Sequence, residues 1–243
     1  MELLHVVIFA LALTGASTTS RIVGGSLAPD GLFPYQVSLR TKTLVHTCSG
    51  TIIGANSVLT AAACVYGKAP GDVYVVAGTN YLTPSGTTYA VSVITTHITF
   101  DPNTLKGNLA VIKTIGRILD TPKTAVINLN IASTLPGQVC TLSGWGKKSS
   151  TATSYSNELM YTSLEVMSLD ECRKAYPQYD IDNNIVCTKG GNRGGCDGDN
   201  GSPLVSFGLQ VGLLSWGIPC ATGKPDVFTN LAPYNNWITN MIS

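Results

Sequence analysis

Four short stretches hold most of the residues from which chemistry could be built. They are Leu59-Thr60-Ala61-Ala62-Ala63-Cys64, Ser143-Gly144-Trp145-Gly146, Gly198-Asp199-Asn200-Gly201-Ser202-Pro203 and Ser215-Trp216-Gly217. Ser202 and Ser215 offer hydroxyls, and a hydroxyl becomes a nucleophile only when a base stands within hydrogen-bond reach. No base adjoins either of them in sequence. Asn200, between an aspartate and a glycine, carries an amide that is not a useful nucleophile at neutral pH. The only histidines beyond the first few residues are His46 and His97, so any imidazole base has to be one of these two.

The elements that must position these residues read as strands. Runs rich in Val, Ile, Thr and Tyr alternate with Gly, Pro, Asn and Ser, as in Tyr35–Leu39, Val73–Val76, Tyr89–Val93 and Gln210–Leu214, which is the pattern of a sandwich or barrel. Two stretches read as helices. Leu169–Tyr176 follows a Ser168 cap with Glu171 at the third helical position, and Tyr234–Met241 lies near the C-terminus. With 44% hydrophobic residues, 12% charged residues and 25 glycines, the chain is compact and rich in turns. A net charge of +1 without a basic run makes nucleic acid and anionic membrane poor partners. The apolar run Val6–Leu13, followed by small residues, reads as a secretory signal over 1–16, with 17–21 a short propeptide. Secretion makes disulfides the expected state of most of the seven cysteines. The crossing between two halves is best placed at Asp120-Thr121-Pro122.

Arg21-Ile22-Val23-Gly24-Gly25 follows the signal, and with the four stretches above it resembles the trypsin-like serine proteases from Ile22 to Ser243. The resemblance implies an all-β fold of two six-stranded antiparallel Greek-key barrels, over 22–121 and 122–243, with a C-terminal helix. In that family a histidine, an aspartate and a serine form the catalytic triad. The matching positions here are Ala63, Asn108 and Asn200. The expectation is therefore a protein that is not an enzyme, with Asn108 sparing the fold an unpaired buried charge once Ala63 has replaced the histidine. His46, two residues before Cys48, falls where relatives often carry a structural histidine, and His97 is expected at the surface or in a structural role.

The remaining site residues follow from the same resemblance. Arg21 and Ile22 resemble an activation cleavage site, with Asp199 as the carboxylate that would receive the freed amine and Gly198 as the oxyanion-hole position. The specificity pocket is altered: Gly194 stands at its floor, Asp226 replaces a wall glycine, Gly217 lies on its edge, and Pro219 precedes Cys220. Obstruction by Asp226 and Pro219 is the favoured reading, and a relocated acid that attracts Lys or Arg is the other. Cys48–Cys64, Cys172–Cys187 and Cys196–Cys220 match family disulfides and leave Cys140 as a free thiol opposite Ser206. Gly78–Tyr89, where trypsins carry a calcium loop, has no acidic residue, so neither a metal nor any other cofactor is expected. The overall pattern is most similar to the inactivated, mite group 3 allergen-like protease paralogues of the scabies mite. That similarity implies a secreted monomer of the gut lumen or faeces that binds host proteins, complement components among them, through an exposed loop face. A decoy for active proteases, a peptide-sequestering competitor and a weak hydrolase using Ser202 or Cys140 are the alternatives.

Overall fold

The computed structural model describes residues 23–84, 86–218 and 220–242. The signal and propeptide readings, Arg21, Ile22 and Pro219 lie outside the described residues. A two-residue strand, β1 (Ser26–Leu27), precedes a closed barrel of six strands. These are β2 (Gln36–Arg40), β3 (His46–Gly54), β4 (Ser57–Thr60), β5 (Tyr74–Ala77), β6 (Thr87–Thr96) and β7 (Ala110–Thr114), in the order β2-β3-β4-β7-β6-β5. β2 and β4 are buried along their whole length, so they show no alternation of apolar and polar residues. Val37, Leu39, Ile52, Leu59, Val75 and Ile112 fill the interior. β6 runs longer than its sequence pattern suggested. A register shift between Val91 and Val93 breaks the alternation, and Val93 is about half exposed.

The second sheet contains β1 with β8 (Asn128–Leu129), β9 (Val139–Gly144), β10 (Met160–Glu165), β11 (Ile185–Thr188), β12 (Pro203–Ser206), β13 (Leu209–Gly217) and β14 (Asp226–Asn230). Its path is β1-β10-β9-β12-β13-β14-β11, with β8 parallel to β13. A bridge between Val166 and Thr188 and a bond from Lys189 N–H to the Glu165 carbonyl (2.8 Å) bring the β10 and β11 ends together, so the sheet curls toward a second barrel. Thr121 and Thr124 bridge each other in the turn between the halves.

α1 (Leu169–Ala175) starts where its cap predicts. Ser168 Oγ accepts from Glu171 N–H, and the Glu171 carboxylate accepts from Ser168 N–H. α2 (Asn235–Ile242) buries Ile238 in the core cluster that fills the first barrel. The contact is close: a side chain at Gly54 would put Cβ 2.8 Å from Ile242 Cγ2.

Candidate functional site

The two halves meet along a polar seam, and the candidate site lies on it. Thr51 Oγ1 on β3 donates to Gln210 Oε1 on β13 (2.9 Å), and Ser143 Oγ on β9 donates to Gln36 Oε1 on β2 (2.8 Å). These bonds set the register between halves at buried positions, where an unmade hydrogen bond costs more than a made one contributes.

Ala63, Asn108 and Asn200 come from three distant segments and gather around Ser215. The Ala63 N–H donates to Asn108 Oδ1 (2.9 Å), and Asn108 Nδ2 donates to Ser215 Oγ (2.7 Å). Asn200 Nδ2 donates to the Ser215 carbonyl (3.2 Å). Asn108 is fully buried, whereas the Ala63 methyl is exposed to the cleft. Every side chain in this network is uncharged. Its action is to hold the backbone of Ser215 and the amide of Asn200 at the cleft floor. Ser202 is fully buried behind the floor instead of standing near the cleft surface.

His46 sits on the seam as well. Its Nε2 lies 3.0 Å from the Gly198 carbonyl and its Nδ1 lies 2.8 Å from Ser38 Oγ. A carbonyl only accepts, so Nε2 carries the proton and Nδ1 accepts from Ser38, whose Oγ in turn accepts from Arg40 Nε (3.0 Å). Burial pushes the imidazole down to about 4, against the pull of the Gly198 carbonyl and with help from the Arg40 charge. His46 is therefore neutral at physiological pH. Trp145 and Tyr155 pack edge-on against its ring. Gly198 adopts φ +96°, and a Cβ there would meet the Tyr155 ring at 2.7 Å, so this backbone conformation and this contact both require glycine. Sequence reasoning missed Ser38, Arg40 and Tyr155. The one signal was a charged residue ending the run Gln36-Val37-Ser38-Leu39-Arg40. His97 is packed edge-on against Tyr234 and Trp237 with ring centroids at 4.9 Å.

Asp199 is fully buried, and its carboxylate accepts from the N–H groups of Gly146 (2.7 Å) and Cys196 (3.0 Å). Burial pushes it up to about 7, against those two donors. The chain enters this region through Val23, which bridges Gly194.

The expected obstruction of the altered pocket rested on Asp226 and Pro219, and Pro219 lies outside the described residues. About 210 Å³ of space lies beside Asn200, walled by Leu214, Trp216, Gly217 and Asp226. The Asp226 carboxylate does not cross it, because Oδ2 folds back to accept from Gly195 N–H (2.7 Å). Gly194 makes that possible: a Cβ at this position would stand 2.4 Å from Oδ2. An acid at 226 and glycine at 194 are thus one structural choice. Burial pushes the Asp226 carboxyl up to about 6, opposed by the Gly195 donor.

Cys48–Cys64, Cys172–Cys187 and Cys196–Cys220 are bonded, a set that belongs to an oxidising compartment. Cys140 is free and buried beside Ser206, and burial pushes its thiol up to about 11, which keeps it protonated and unreactive. Among the described residues no group of three or more His, Cys, Asp or Glu could hold a metal ion.

Comparison with known proteins places this geometry. The Trypsin family model matches residues 22–238. Trypsin delta of Drosophila melanogaster is 32% identical over 221 residues, covering 90% of this chain and 87% of that protein. Chymotrypsin-2 of Vespa crabro is 34% identical over 220 residues, covering 89% and 98%. Among solved structures, neuropsin, described as a serine protease expressed in the limbic system of mouse brain, superposes with a TM-score of 0.83 at 28% identity, covering 90% of this chain and 99% of its own. These findings overturn the expectation, drawn from Ala63, Asn108 and Asn200, that the chain is not an enzyme. The relatives bear the names of proteases, and a histidine, His46, stands buried in the structure against Gly198. With its closed barrel, curled second sheet and interbarrel cleft, the chain belongs to the Trypsin family of serine proteases.

Proposed function

We infer that this trypsin-family chain acts on other proteins outside the cell, taking an extended segment of its partner into the cleft as an added strand. One observation carries the reading. β12 pairs with β13 only as far as Leu213, so Trp216 and Gly217 run on past it, paired on one side with Val227 and Asp226. A strand edge of this kind offers backbone groups to an incoming peptide, and an adjacent pocket selects one of its side chains. The pocket walled by Trp216, Gly217 and Asp226 stands next to that edge.

The partner class is the one the sequence resemblance implies, host complement proteins met in the lumen of a mite gut or in faeces. The test uses protein matured at Ile22 in a complement lysis assay. Lysis is expected to fall with wild-type protein and to recover with Trp216→Ala and with Asp226→Ala. Inhibition that survives both changes would move the binding surface out of the cleft. The names of the relatives favour a second reading, hydrolysis of the segment so held. A fluorophosphonate probe reads it directly, since covalent labelling of the matured protein requires an activated hydroxyl.

A further inference from the structure

In the turn that joins β12 to β13, Phe207 is 93% exposed. Both turn residues are left-handed, Phe207 at φ +49° and Gly208 at φ +76°. A two-residue turn of this kind favours Asn or Asp before the glycine, so phenylalanine serves neither the turn nor the core. It has apolar company. Ser206 Oγ donates to the Val139 carbonyl (2.9 Å), which sets the start of β9 beside the turn, and Leu209 pairs with Asn128 of β8. The Asn130 N–H donates to the Gln210 carbonyl (2.8 Å), and the Gln138 N–H to the Leu135 carbonyl (3.2 Å), so Ile131 and Leu135 are tied to the same end of the sheet. Ile131, Leu135 and Val139 are each more than half exposed. A Cβ on Gly208, or on Gly137 just before β9, would meet nothing within 4 Å, so both turns stand clear of the rest of the molecule. The surrounding chain carries no charge over residues 124–146 and 200–223. Glu165, opposite Val139 on β10, is offset by its ion pair with Lys189.

We propose that this end of the second half is a lipid-docking surface, which sinks Phe207 among the headgroups of a neutral, zwitterionic membrane. Exposed apolar patches mark contacts with protein or with membrane, and here charge and shape choose between them. Anionic lipid is drawn by basic residues, which these two stretches lack. Neutral lipid is held by buried apolar area alone, and no charge on these stretches has to shed its water. A rigid partner, a second copy included, would meet a projecting tip over a small area unless it offered a matching hollow, and standard protein interfaces bury about 800 Å² on each side. Fluid lipid closes round a projecting side chain without such a match. β13 runs from Leu209 at the patch to Gly217 at the cleft, so roughly 25 Å of strand separates the two. Docking therefore leaves the peptide-binding edge in solvent.

Co-sedimentation of the protein matured at Ile22 with phosphatidylcholine vesicles tests this. Wild-type protein is expected to bind, with the same bound fraction at low and at high salt. Phe207→Asp and Val139→Asp should each weaken partitioning by about tenfold or more, since each withdraws apolar area from the lipid and adds a charge. Phe207→Leu should keep most of the binding. Ile98→Asp changes an equally exposed apolar residue, on the loop between β6 and β7, and should leave binding unchanged. All four variants should keep the wild-type circular dichroism, because the side chains they change are exposed. No binding to phosphatidylcholine would overturn the proposal, as would binding that needs anionic lipid and vanishes in high salt, or equal loss in Ile98→Asp. So would a concentration-dependent dimer that Phe207→Asp dissolves, which would give the patch to a second copy. None of these outcomes bears on strand addition along Trp216 and Gly217, which the lysis assay reads through cleft variants that leave the patch intact.

Discussion

Asn108 shows how one buried side chain fixes what its neighbours can be. It donates to Ser215 and accepts from Ala63 in a network with no charge to balance a carboxylate. Asn108→Asp is expected to destabilise the fold by about 3–5 kcal/mol, the cost of an uncompensated buried charge. Adding Ala63→His should recover part of that loss, with a coupling of about 1–3 kcal/mol in a double-mutant denaturation cycle. His46 makes a pH-dependent contribution. Its folded value, about 4, lies below its unfolded value of 6.5, so its contribution to stability is complete above about pH 6.5 and declines as the pH falls toward 4. Urea denaturation at pH 7 and pH 4.5 should show a smaller pH effect in His46→Gln than in wild type. Asp226 has the opposite sign. Its folded value, about 6, lies above 3.8, so the fold is favoured at low pH and loses that support as pH rises through 6. The stability of Asp226→Asn relative to wild type should therefore rise between pH 4 and pH 7. The identities at 63, 108, 200, 194 and 226 were legible in the sequence. The direction in which the Asp226 carboxylate folds was not, because its donor on Gly195 is 31 residues away.

Elements were legible where the signal was local. The capping box of α1 is closed within four consecutive residues, and the helix begins where those residues place it. Ser168→Ala is expected to cost about 1 kcal/mol in chemical denaturation, the usual value of an N-cap. The Cys172–Cys187 bond should keep the helix docked in that variant. Strands with both faces covered, such as β4, lack the period-two signal, and the bulge in β6 hides its true length. The packing of α2 had no local signature. Its apolar residues announce a buried face, but only the fold shows that the face lies on the first barrel. Ile238→Ala should cost about 2–5 kcal/mol, as expected for a large-to-small change in a core.

At the scale of the whole molecule, the seam between the halves is polar, and its bonds join residues far apart in sequence: Thr51 with Gln210 across 159 positions, and His46 with Gly198 across 152. Pairings of that range leave no trace in a single sequence, which is why the bonds of the seam could not be foreseen while the family could. Gln210→Leu would leave the Thr51 hydroxyl without its acceptor and should cost about 1–3 kcal/mol, read as a lower denaturation midpoint. The ends of the described chain are exchanged across the seam. β1 pairs with β10 in the second sheet, although it comes before the first barrel, and α2 packs on the first barrel, although it comes after the second sheet. During synthesis, then, the first barrel leaves the ribosome without the helix that covers Gly54, and β1 waits for a partner strand not yet translated. Neither half is finished until the other has been made, so a nascent chain of this protein exposes apolar barrel surface until its last helix has been translated.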